Sequence, residues 1–153
     1  MPSARRTVTV TETLHVDRPP EAVFDYTQDY ATRSHWDPVI SDAVVVRDEP
    51  RTVRVLAEGV GSYAIQYRLL RRPERTSASF VDVRSWWLAG GGGSWRYDAR
   101  DGGTDWTQTN TLELRHPYLL QVFAPLIRRR LRDGMRDAMA NAKAILEGRA
   151  PSD

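Results

Sequence analysis

The segment DRPPEAVFDYTQDYATRSHWDP, from Asp17 to Pro38, constrains this chain more than any other. It reads as helical, yet it interrupts a sequence that otherwise alternates like β-strand until its C-terminal stretch. Pro19 and Pro20 suit a first helical turn, where the missing N–H has no partner to lose, and Glu21 suits the positive end of the helix dipole. Asp17 is placed to cap that helix. Ala22, Val23 and Tyr26, with Phe24 at the margin, supply its apolar side. A second short helix over Tyr30 to His35 must stop before Trp36-Asp37-Pro38, because the residue before a proline avoids helical angles. A strand, two short helices, a run of strands and a long final helix imply a sheet curled around that helix. Such an arrangement tends to leave a cavity.

The strands are read from period-two alternation. In residues 6–17, Val8, Val10, Glu12, Leu14 and Val16 share one face, and Thr7, Thr9, Thr11, Thr13 and His15 the other. Further strands are expected at 40–48, 51–58, 62–72, 76–87, 93–100 and 104–115. Between them lie Asp48-Glu49-Pro50, Glu58-Gly59-Val60-Gly61, Arg72-Pro73-Glu74, Gly90 to Gly93 and Asp101-Gly102-Gly103, all turn chemistry. Short connections between successive strands predict an antiparallel meander. Pro125 predicts a break: a short helix Tyr118 to Ala124, a kink, and a main helix Pro125 to Glu147. Ile127, Leu131, Gly134, Met135, Ala138, Ala142 and Ile145 fall on one face of that helix, and Gly148 ends it.

With 153 residues, 41% hydrophobic and 27% charged, the chain is expected to be one globular domain, with a core over about 6–148 and loose tails at 1–5 and 149–153. No cysteine is present, which excludes disulfides, thiolate metal sites and a cysteine nucleophile. Lys143 is the only lysine and every other basic residue is arginine, so the high pI accompanies a formal charge of only +2. That charge gives no reason to expect nucleic acid. MPSARR lacks the apolar core of a signal peptide, and no apolar run is long enough to span a bilayer, so a cytoplasmic location is expected.

Three segments resemble the START-like superfamily (SRPBCC, or Bet v 1-like), and within it the polyketide cyclase/dehydratase group. They are VDRPPEAVFDYTQDYATRSHWDP, the hairpin GSWRYDARDGGTDWTQTNTLEL and the terminal FAPLIRRRLRDGMRDAMANAKAILEG. Their order and spacing, covering nearly the whole chain, carry the likeness. The resemblance implies an α+β helix-grip fold, a seven-stranded antiparallel sheet wrapped around the C-terminal helix with a ligand cavity between them. It implies no particular substrate, because fold does not fix function.

On the last strand Trp106, Gln108, Asn110, Leu112 and Leu114 share the inward face, which aims two amides at the expected cavity. The superfamily's topology sets the first strand beside the last, so Glu12 would come near them, as a general base or as a rim carboxylate facing solvent. Tyr63, Tyr67, Trp95, Tyr97 and Trp106 are candidate aromatic contacts opposite the small helix residues Gly134, Ala138 and Ala142, and Met135 and Ala138 are candidate contacts from the helix. Asp82 and Arg84 either face inward as an ion pair or lie on the outer face; periodicity leaves both open. The four glycines are read as a hairpin loop at the cavity mouth, since no helix or Lys-Ser/Thr pair follows them. His15, His35 and His116 lack metal-ligand spacing, and no metal or cofactor is expected. Arg128-Arg129-Arg130 reads as a solvated helix face, with phosphate or an acidic membrane surface as the alternative.

These residues predict a binding protein for a small apolar, aromatic or lipid-like ligand. The alternatives are a polyketide cyclase/dehydratase-like enzyme on the same scaffold and a protein-interaction module, with a protein partner or homodimer admissible.

Overall fold

The structure, a computed structural model, describes residues 7–68, 73–115 and 117–148, without the side chains of 117–121. The order is β1 (Thr7–Val16), α1 (Pro20–Thr27), a single 3-10 turn (Arg33–His35), β2 (Ile40–Asp48), β3 (Arg51–Ala57), β4 (Gly61–Tyr67), β5 (Thr76–Arg84), β6 (Leu88–Arg100), β7 (Gly103–Leu114) and α2 (Pro117–Leu146). All neighbours are antiparallel, in the order β1-β7-β6-β5-β4-β3-β2. Strands β2 to β7 therefore form the predicted meander and β1 adds to its far side. The two edge strands are consecutive in sequence, so the Asp17–Pro38 segment must bridge the open side of the sheet.

β1 and β7 are paired without a break from Thr7↔Glu113 to Val16↔Thr104, which sets Glu12 opposite Gln108. On the outer face the threonines form a ladder: Thr9 with Thr111 (3.1 Å), Thr11 with Thr109 (3.0 Å) and Thr13 with Thr107 (2.9 Å). Val8, Val10 and Val16 are buried on the inner face, under α2.

Four expectations are corrected. Asp17 does not cap α1: the N-cap is Pro19 without a side-chain bond, and the Asp17 carboxylate instead meets His15 Nε2 at 3.2 Å. The second helix is one 3-10 turn, too short to bury a face of its own. The glycines are not a loop but lie inside β6, whose hairpin connection is Ser85–Trp87. A Cβ on Gly91 would collide with the Thr111 carbonyl, and one on Gly92 would sit 2.5 Å from the Ala78 carbonyl, so the glycines let β6 pass close between its neighbours. Pro125 does not break the last helix, which runs unbroken over 30 residues, about 45 Å at 1.5 Å per residue. Pro125 is on the exposed side, where the carbonyl it leaves without a donor can be hydrated. The expected continuation of β4 to residue 72, together with His116 and the C-terminal tail, lies outside the described residues.

The core is in two parts. The larger joins Val23, Trp36, Tyr63, Tyr67, Trp95, Tyr97 and Trp106 to Ala138, Met139, Ala142 and Leu146 of α2. The smaller joins Val8, Val10 and Leu114 to Met135, with Ile127 and Leu131 packed against it. The C-terminal half of α2 is thus packed solidly on the sheet. Its N-terminal half roofs the space between the two clusters.

Candidate functional site

That space is a cavity of about 670 Å³. Trp36, Ile40, Tyr63, Ile65, Leu88, Trp95, Gln108, Met135 and Ala138, all buried, form its inner wall. The exposed residues Val39, Glu58, Trp86, Phe123, Leu126 and Arg130 mark its mouth. Pairing between β5 and β6 ends at Ser79↔Gly92, and Asp82 takes a positive φ of 49°, so the sheet opens beyond that point and Trp86 and Trp87 flare towards the mouth. Trp87 is fixed by its indole N–H, which donates to the Gly59 carbonyl at 3.0 Å.

The walls are mostly apolar, and the polar groups are few. Gln108 is 4% exposed, and its amide has no hydrogen-bond partner among the described residues; Asn110, one pleat further along β7, has none either. Gly93 makes room for this part of the wall, since a Cβ there would sit 3.0 Å from the Trp95 ring and 3.2 Å from Asn110 Oδ1. Tyr63 stacks at a tilt on Phe80, with ring centroids 4.6 Å apart. Burial pushes its hydroxyl up, so at neutral pH it is a phenol able to donate.

Arg33 also reaches the cavity wall. Its Nε donates to Asp37 Oδ2 at 3.1 Å, and its guanidinium lies 4.3 Å from the centroid of Trp36. Burial alone would pull this guanidinium down, but Asp37 beside it holds it above its ordinary value, so it is a permanent cation. Arg33 is not among the residues that the sequence singles out by periodicity or motif. The available signal was its i,i+4 spacing to Asp37 between the aromatics Tyr30 and Trp36.

Beneath the wall lies a polar network. Tyr97 shares its hydroxyl with Thr27 Oγ1 (2.6 Å) and accepts from Gln28 Nε2 (2.9 Å). The Tyr67 hydroxyl donates to Gln28 Oε1 (2.9 Å) and meets that of Tyr30. Burial pushes Tyr67 well up and Tyr97 up to about 12, the latter held back by its bonds to Thr27 and Gln28. Trp106 stacks on Tyr97 at 6.3 Å and meets Trp36 edge-on at 5.8 Å.

The candidate residues therefore divide. Gln108, Asn110, Trp95, Tyr63, Met135 and Ala138 come together around the cavity, while Tyr67, Tyr97 and Trp106 support its floor without lining it. Trp36 is both a wedge against Trp106 and a lining residue. Glu12 faces inward but stands off the cavity under α2. Its carboxylate bridges Arg132 Nε (3.4 Å) and Arg136 Nε (3.2 Å), which occupies the oxygens that a base would use. Asp82 and Arg84 are exposed on the outer face. His15 is also outside, between Asp105 (2.9 Å) and Asp17, and its hydrogen bond to Asp105 raises its pKa. Among the described residues no group of three His, Asp or Glu side chains could hold a metal, and no helix is long and apolar enough to cross a membrane.

Solved structures share this architecture. A Thermus thermophilus protein, TTHA0849, is 16% identical with a TM-score of 0.79, over 92% of this chain and 98% of its own. The ZhuI aromatase/cyclase of Streptomyces sp. R1128 is 14% identical at 0.74, over 93% and 94%. A START superfamily protein of Mycobacterium smegmatis is 14% identical at 0.72, over 92% and 97%. At such identities the likeness is one of fold, the START and Bet v 1 helix-grip. No curated protein sequence matches the chain. The sequence itself matches the profile of polyketide cyclase/dehydrase and lipid transport proteins from residue 7 to 147, and the chain belongs to that family.

Proposed function

We propose that this chain binds a flat, apolar small molecule carrying hydrogen-bonding oxygens, of the aromatic polyketide type, between its sheet and α2. One observation carries the reading: in an apolar, aromatic-lined cavity of about 670 Å³, the amide of the buried Gln108 has no partner among the described residues. That amide opens on the cavity, so a ligand carbonyl or hydroxyl would take the hydrogen bonds that no side chain supplies. Asn110 and the Tyr63 phenol offer further polar contacts, and Trp95 and Phe80 offer ring faces.

A cyclase-type enzyme is the second reading, favoured by Arg33. A buried, permanently charged guanidinium on the wall stabilises an enolate oxygen, while the cavity's shape orients a reactive chain for ring closure. The similarity to an aromatase/cyclase structure agrees with it.

Native mass spectrometry of the freshly purified protein, followed by thermal-shift screening of aromatic polyketides and fatty acids, tests the binding reading. A ligand that co-purifies or stabilises the wild type, and that Gln108→Leu binds more weakly, is the expected result. No stabilisation by any of these compounds defeats it. Ring closure of a poly-β-ketone thioester by the wild type but not by Arg33→Met separates the enzyme from the carrier.

A further inference from the structure

Around the cavity mouth the surface is apolar where water would favour polar groups. Trp86 is 71% and Val122 73% exposed, with Phe123 and Leu126 about half exposed beside them. Val122, Leu126 and Arg129 or Arg130 succeed one another at spacings of three and four, so they share one side of α2, which borders the mouth at Leu126 and Arg130. Trp86 projects from an anchored loop: Arg115 Nε donates to the carbonyls of Ser85 (2.8 Å) and Leu88 (3.1 Å). Holding an indole out in water on a braced loop has no packing rationale within the monomer. Arg130 stands at the mouth and has no acidic partner among the described residues, while Arg129 meets Asp133 only at 4.0 Å.

We infer that this face docks on an anionic lipid bilayer, with Trp86, Val122, Phe123 and Leu126 in the interfacial layer and Arg129 and Arg130 at the phosphates. Tryptophan and aliphatic side chains flanked by arginine are the composition that such an interface retains. The opening itself favours lipid over a folded partner. A protein laid across the mouth would span a void, whereas acyl chains continue into the apolar cavity and leave none. The docked protein then takes up or delivers its ligand through the membrane-facing mouth, and this last step rests on the ligand-binding reading. The docking does not.

Co-sedimentation with extruded vesicles tests it without any ligand. The wild type is expected to pellet with phosphatidylcholine vesicles containing phosphatidylglycerol, less so as salt is raised, and not with phosphatidylcholine alone. Arg129→Glu should weaken partitioning by about tenfold or more, since each charge near an anionic surface contributes a several-fold factor. Val122→Asp, at an exposed position off the cavity lining, should abolish it while thermal unfolding and ligand-induced stabilisation stay as in the wild type. Absence of sedimentation with the anionic vesicles, or equal sedimentation of both variants, overturns the inference. So does light scattering that finds a dimer which Val122→Asp dissolves, because the face would then belong to a second copy of the chain.

Discussion

Arg33 donates to Asp37 across 3.1 Å inside the fold, with the two side chains only 7% and 13% exposed. The guanidinium also covers the Trp36 ring, which in turn meets Trp106 edge-on, so one ion pair ties the 3-10 turn to the floor of the cavity. Removing one partner from a buried pair leaves the other charge uncompensated. Asp37→Ala should therefore lower stability by about 3–5 kcal/mol in urea titration. A loss below about 1 kcal/mol would mean that Arg33 is satisfied by its aromatic neighbours alone.

The buried tyrosines make the fold sensitive to alkali. Burial holds Tyr97 up to about 12, while in the unfolded chain a tyrosine ionises near 10. Across that window the native state keeps a proton that the unfolded state releases. Stability is therefore fully present below about pH 10 and is lost as pH rises through the folded value. Tyr97 alone contributes a decline of about 3 kcal/mol. Denaturation of the wild type and Tyr97→Phe at a series of pH values should give a flatter curve for the variant, and superimposable slopes would count against the shift.

Legibility of this fold follows how local its causes are. β1 and β7 alternate because one face is buried and the other wet, so their inward residues, Gln108 and Asn110 included, can be read directly. The glycine run mimics a turn because Gly91 and Gly92 are constrained by carbonyls of β7 and β5, remote in sequence. Pro125 mimics a helix break because its penalty depends on which side of α2 faces water. Tyr67, Tyr97 and Trp106 point inward as alternation requires, but whether an inward ring meets ligand or neighbour depends on α1 and Gln28, which close over the floor. Arg33 escapes notice because a lone arginine in a short helix normally reaches solvent.

Glu12 separates a structural from a chemical role. Its two arginine partners lie on successive turns of α2, so the carboxylate fastens the helix to β1 rather than working in the cavity. Glu12→Gln should cost about 1–2 kcal/mol of stability while leaving ligand affinity within about twofold of the wild type, by denaturant titration and calorimetry. Loss of binding or turnover in a variant that remains folded would return Glu12 to the site.

Gly134 gives the most selective handle on the cavity. It sits in the middle of α2, lines the cavity, and a Cβ built on it meets nothing within 4 Å. A helix-interior glycine costs about 1 kcal/mol relative to alanine. The sequence therefore gives up stability at the position where a side chain would enter the cavity. Gly134→Ala should raise stability by about 1 kcal/mol with little effect on binding. Gly134→Leu should keep that gain, because its side chain projects into open space, yet reduce ligand affinity by about tenfold or more by occupying the volume. Thermal unfolding and calorimetry on the same samples decide the matter: a leucine variant that is stable and still binds at full strength would place the ligand elsewhere than under α2.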